Sequence, residues 1–479
     1  MPFRITDERT LSYVLIFVLF AIMILTAFYT TGTADEGDSI GHYLLAQSAW
    51  HHPYLYFDHW GKPFFTLCIS VFAQISFKAV QMVNAMFIAG SLLLAVQVGR
   101  YLSISNLWML PLLFAAVPLY YVNTLSGLTE PMFNFWLIAG IFLLLKNRHA
   151  VASTWLSFLP FIRSEGLIVI FPVALYLFLN RSYWSILLLA AGHLVYSVAG
   201  YLLMDKPLLW IFTEITYASF SSNYGKGTWD YFFIRSPEIF GYAGTVLFAC
   251  GIFYRIKTHP PFQFKKARID KQQLALDLLI FGIALSVFLF HVAAWAMGWF
   301  QSYGLRRVFL GVSGLILLIQ LYGLNHLLSI VPSRFCNYAK ALVVLIALLI
   351  PWLGVRYGYE PERQFSLKAM QRVMESASET VKEYYPDYKS KVICYEAPHF
   401  AFASGLDFYD KLNRIHGYEE YRYLKPGTLL IWDEWYMVTE GRTPYDSLIA
   451  SGKFRKVAAF KDFNESDEVH SAIVFETIK

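Results

Sequence analysis

The sequence predicts a polytopic α-helical membrane protein of about eleven transmembrane helices, followed by a small soluble α/β domain at its C-terminal end. Three observations predict it. Residues of the apolar class make up 57% of the 479-residue chain and charged residues only 15%, where a soluble domain is less apolar and about a quarter charged. Apolar runs of spanning length recur from residue 11 to residue 354. After about Tyr357 the composition turns polar, with Glu, Lys, Asp and Tyr rising and no run long enough to span. The runs are continuous rather than alternating in polarity, which excludes a transmembrane β-barrel.

The expected spans lie near residues 11–30, 79–99, 106–122, 131–146, 150–162, 165–180, 183–204, 238–256, 275–298, 308–330 and 338–354. The first is long for a signal-peptide core, although Gly32, Thr33 and Ala34 are small enough to resemble a cleavage site. Residues 31–78 form the first loop. Within it, 40–50 and 63–77 read as two helices lying in the interface on either side of a turn, Asp58 to Lys62. For 63–77 a re-entrant segment or a true span is the alternative. Residues 1–356 thus make a transmembrane domain and 357–479 a soluble one. In the latter, 367–384 has helical periodicity, and 392–395, 428–432 and 472–475 read as short strands. There is no internal repeat, no Rossmann glycine fingerprint and no Walker loop.

Orientation follows from Lys and Arg. With the N-terminus cytoplasmic, that side receives Arg4, Arg9, Arg100, Lys146, Arg148, Arg181, the basic loop 255–271, Arg334 and Lys340. The opposite side receives fewer, as the positive-inside pattern requires. The first loop, Glu130, Arg163 with Glu165, loop 205–237 and the pair Arg306 and Arg307 then share the extracytoplasmic face. The net charge of +5 is spent largely on these loops and does not suggest nucleic acid. Four scattered cysteines give no zinc or disulfide framework.

Ionisable groups beside spans are costly and point to function. The stretch Thr33-Ala34-Asp35-Glu36-Gly37-Asp38 sets three carboxylates at the membrane edge. One of them can act as a general base on a hydroxyl, and any of them can cap the helix that follows. If 35–42 is helical, Asp35, Asp38 and His42 share a face. Lys62, between Gly61 and Pro63, suits a phosphate or snorkels to headgroups. Glu130 and Glu165 are acids beside spans, and Arg163 can pair with either. Arg306 and Arg307 run against the orientation rule, so an anionic partner is expected, a lipid-linked phosphate or a headgroup. His42, His51, His52 and His59 with Asp58 suit zinc or manganese, in a spacing that matches no signature. Trp432-Asp433-Glu434-Trp435 reads as a sugar site or as a strand running into a loop.

Taken together and in order, the Asp35-Glu36 pair, the Gly61-Lys62-Pro63 turn, Thr129-Glu130-Pro131 and Arg163-Ser164-Glu165-Gly166 resemble the GT-C membrane glycosyltransferases. These include protein O-mannosyltransferases, GPI mannosyltransferases and lipid A aminoarabinose transferases. The likeness covers about the first 310 residues. It implies transfer of a sugar from a polyprenyl-phosphate carrier to a lipid, glycan or protein hydroxyl, with inversion, at the extracytoplasmic face of a bacterial inner membrane. In the endoplasmic reticulum of a eukaryote the same topology would hold. It further implies Asp35 as catalytic base, aided by Glu36, and Lys62, Arg306 and Arg307 as the donor-phosphate cations. Asp38, His42, Asp58, His59, Glu130, Arg163 and Glu165 would line the substrate cavity. No cofactor is required, and Asp38 leaves room for a divalent metal. The chain departs from the GPI type at Thr33-Ala34, where that type has His-Pro, and from the aminoarabinose type in the single Pro after Lys62. A secondary transporter and a non-catalytic partner in envelope glycan assembly are the competing classes. Transporters carry their charges near the midplane and show repeat symmetry.

Overall fold

A computed structural model describes residues 8–33, 35, 37–214, 224–258, 270–353, 358–415, 420–464 and 467–479. Glu36, and Lys265, Lys266 and Arg268 of the basic loop, lie outside the described residues. Six described helices are long and apolar enough to cross a membrane: Glu8–Tyr29, Phe77–Tyr101, Tyr183–Met204, Lys271–Met297, Arg306–Ile330 and Ser333–Trp352. Together they make this an integral membrane protein. A seventh crossing arises if Leu107–Ala115 and Pro118–Thr124 count as one span, bent by 80°. The cause of the bend is local. Val117 is extended, with φ −111° and ψ 98°, because the ring of Pro118 disfavours helical backbone in the residue before it.

The remaining expected spans are helical but shorter than the ~20 residues a bilayer needs. Glu130–Leu145 has 16 residues, Gly166–Leu179 has 14 and Tyr242–Thr258 has 17. Residues 150–162 hold only the eight-residue helix His149–Leu156 and a 3-10 turn. Helices long and apolar enough to cross a membrane therefore number six or seven among the described residues, against the eleven spans expected. Hydropathy sees the apolar run 150–162, but not the turn at Ser157 that cuts it.

The described residues form two compact units. The first comprises residues up to Tyr29, Phe57–Phe65 and Gln81–Glu360. Its helices Tyr242–Thr258 and Ser313–Ile330 pack backbone to backbone. Side chains at Gly251 and Gly323 would overlap the carbonyls of Ile319 and Leu247, the close approach that small residues allow between membrane helices. Buried Arg255 pairs with Asp277 at 2.6 Å beside a π-helical segment, Leu276–Gly282.

The second unit comprises Thr30–Tyr56, Thr66–Val80 and Pro361–Lys479. Most of the first loop thus groups with the C-terminal residues. A five-stranded sheet runs in the order β2-β1-β3-β5-β4, with β1 Ile393–Cys394, β2 Arg414–Ile415, β3 Leu429–Asp433, β4 Phe454–Phe463 and β5 Val469–Thr477. β1 is parallel to β2 and β3, and β5 is antiparallel to β3 and β4. Helix Ala369–Tyr384 buries Ala369, Val373, Ala377 and Val381, one row at a spacing of four, with Met370 and Met374 beside it. Helix Asp38–Ser48 buries residues on every face, from Ser39 to Ala46. That corrects the expectation of an interfacial helix, which would keep one face exposed. Pro63–Ala73 is helical with Leu67 and Val71 exposed.

Candidate functional site

In the first unit the loop ends gather charge around Arg163. Its position is set by Gly166, where a side chain would overlap the backbone of Leu159, so the turn carrying Arg163 and Glu165 is tight. The guanidinium lies 2.8 Å from Glu130 Oε1 and 2.9 Å from Glu165 Oε1. It also donates to Thr129 Oγ1 at 2.7 Å. Glu130 opens its helix with Pro131 behind it and is only 1% exposed. Arg307 Nε stands 3.6 Å from the same Glu130 Oε1, and His291 Nε2 is 3.5 Å from Glu165. The sequence left Arg163 a choice between Glu130 and Glu165, and the fold gives it both.

Arg306 and Arg307 diverge. Arg306 pairs with Glu238, which also pairs with Arg235 at 2.9 Å. The anionic partners expected for this double arginine thus include two protein carboxylates, one for each residue. Glu238 and His291 were not singled out from sequence. Both are visible there as ionisable groups at or inside an apolar run, which is the signal that finds them.

Lys62 Nζ donates to Ser164 Oγ at 3.2 Å. Lys62 itself adopts φ +61°, a left-handed conformation that costs a lysine about 1 kcal/mol or more. Asp58 Oδ1 accepts from the Gly61 amide at 2.7 Å, which closes the turn. His59 packs against Trp210 with centroids 5.1 Å apart. Burial, with Lys62 nearby, pushes its imidazole down to about 4. Among the described residues, Arg163 and Arg307 thus meet at Glu130, Lys62 joins them through Ser164, and Arg235 and Arg306 meet at Glu238.

In the second unit the helix begins at Asp38, so Asp35 precedes it and the shared face with Asp38 and His42 does not form. Asp35 Oδ1 accepts from the amides of Gly37 and Ser39, each at 3.0 Å, and Oδ2 accepts from Ser39 Oγ. The carboxylate therefore satisfies backbone donors of the first helical turn. Asp38 is exposed and His42 buried. Asp433 is fully buried and accepts from the amides of Trp435, Tyr436 and Met437, while burial pushes its carboxyl up to about 7. Glu434 pairs with His470 at 3.1 Å. The Trp432–Trp435 stretch is accordingly a strand running into a loop. Among the described residues no three His, Cys, Asp or Glu converge as metal ligands. His52 instead pairs with Asp407 at 2.7 Å.

No family model and no curated protein matches the chain. Among solved structures, ArnT from Cupriavidus metallidurans bound to undecaprenyl phosphate superposes with a TM-score of 0.58 at 9% identity, over 96% of this chain and 97% of that one. The Archaeoglobus fulgidus oligosaccharyltransferase matches with a TM-score of 0.47 at 11% identity, over 97% and 73%. The likeness to ArnT shows that this chain shares its fold.

Proposed function

We propose that the protein is an inverting glycosyltransferase. It moves a sugar from a polyprenyl-phosphate carrier to a hydroxyl of a lipid, glycan or protein on the extracytoplasmic face of a bacterial inner membrane. In this reading residues 1–356 form the transmembrane catalytic domain with the loop 31–78, and 357–479 an extracytoplasmic domain. Asp35, aided by Glu36, takes the acceptor O–H proton. The oxygen then attacks the anomeric carbon, and the bond from that carbon to the phosphate oxygen breaks with its electron pair going to the phosphate. Lys62, Arg306 and Arg307 meet the charge that develops there. Asp58, His59, Glu130, Arg163 and Glu165 lie in the same unit as those cations, and Asp38 and His42 in that of Asp35.

The observation that carries this reading is the ionic cluster in which Arg163 and Arg307 meet buried Glu130, with Lys62 held beside it by Ser164. Pre-placed charge of this kind stabilises a departing phosphate without reorganisation, and it occurs here in a chain with the fold of ArnT, a protein crystallised with undecaprenyl phosphate. Mass spectrometry of lipid-linked sugars in cells with and without the gene tests it. One lipid-linked sugar is expected to accumulate in the deletion strain. Asp35→Asn is expected to be expressed and folded yet to leave that accumulation uncorrected; full correction by the variant would refute the base assignment.

A further inference from the structure

The stretch that bears Asp35 is held on three sides by residues from the far end of the chain, all within the second unit. Phe365 O accepts from the amides of Thr31 at 2.9 Å and Gly32 at 3.0 Å, and a side chain at Gly32 would overlap the Ser366 carbonyl. Gln371, fully buried, uses both ends of its amide. Its oxygen accepts from Lys368 N at 2.9 Å, at the start of helix Ala369–Tyr384, and its nitrogen donates to Thr33 Oγ1 at 3.2 Å. Thr33 Oγ1 in turn donates to the Asp35 carbonyl. On the other side the Tyr436 hydroxyl occupies the space where a Cβ on Gly37 would stand. Tyr436 is itself fixed by its amide, 2.5 Å from Asp433 Oδ1.

We infer that Gln371 and Tyr436 are positioning residues for Asp35, and that the C-terminal residues serve as the scaffold that fixes the backbone of the proposed base. This rests on Asp35 being the base. Gln371 sets the carbonyl on one side of Asp35 and Tyr436 confines the glycine on the other, so the carboxylate has one place from which to meet a hydroxyl. A shift of about 1 Å in such a group costs on the order of 100-fold in rate.

The test uses the full chain in nanodiscs, with turnover of the lipid-linked sugar that accumulates in the deletion strain. Hydrogen exchange at residues 37 and 39 is measured alongside. For Gln371→Leu and for Gly37→Ala, kcat is expected to fall by about 10- to 100-fold with the donor KM unchanged. Exchange at both amides should rise several-fold and the thermal midpoint should hold. Gly37→Ala combined with Tyr436→Phe, which removes the overlapping hydroxyl, is expected to recover part of the lost kcat. Unchanged exchange and unchanged kcat in both single variants would overturn the inference, as would a loss confined to KM or matched by a lower midpoint. If Asp35→Asn turns over at the parent rate the base reading fails, while the exchange data still decide whether Gln371 and Tyr436 order the loop.

Discussion

Arg163 and Glu130 show what a single residue contributes here. A guanidinium between two carboxylates in a nearly dry setting is stabilising only as a set, because removing one partner strands the others. Glu130→Gln leaves Arg163 with Glu165 and leaves Arg307 facing an amide. The expected loss is about 3 kcal/mol of unfolding free energy, read by SDS titration of the purified protein. His59 gives a pH dependence. Its folded value near 4 lies below the ordinary 6.5, so between those values the unfolded chain binds more protons and stability rises with pH. Protection from this residue is thus complete above about 6.5 and lost as pH falls through about 4. His59→Gln is expected to flatten the rise of the thermal midpoint between pH 4 and 7. At this scale the sequence identified Glu130, Arg163, Glu165 and the arginine pair from their place beside apolar runs. It could not say that Arg306 would meet Glu238 or that Asp407 would meet His52. Those partners come from distant parts of the chain, and no local spacing encodes them.

At the scale of elements, hydropathy found where helices are, and backbone chemistry decided where they stop. The run 106–122 reads as one span until Pro118 is considered, and the ring then bends the path by 80°. Helix packing adds a second constraint. Helices Tyr242–Thr258 and Ser313–Ile330 meet at Gly251 and Gly323, each lying against a carbonyl of the other helix. Gly323→Leu is expected to push the pair apart and cost about 2 kcal/mol or more, seen as a lower thermal midpoint and aggregation on size exclusion. The same leucine at an exposed position such as Val246 should be harmless. In the C-terminal sheet the three central strands were legible because each is a short apolar or β-branched run. β4, Phe454–Phe463, was missed because its buried and exposed positions do not alternate cleanly. Its pattern is set by a register shift between Lys456 and Ala458 that only the partner strand reveals.

At the scale of the whole molecule, the division of the chain is the main departure from its linear order. Residues 30–56 and 66–80 group with 361–479 rather than with the spans that precede and follow them. A chain ending at Glu360 would lose Phe365, Gln371, Asp407 and Tyr436 together. Such a chain is expected to insert in the membrane but to be cut by protease within 30–56, where the full protein resists, and to restore no transfer. Resistance of that loop in the shortened chain would show that it folds without those partners.

The sequence alone determined that this is a membrane protein with a polar α/β tail, and that its ionisable groups sit at the ends of apolar runs. Both follow from transfer energies that each segment carries by itself, whatever its neighbours. Only the tertiary structure decided which carboxylate meets which guanidinium, where the helices break, and which distant residues hold the loop of Asp35. Those outcomes depend on contacts between segments hundreds of residues apart, and such contacts exist only once the chain has closed on itself.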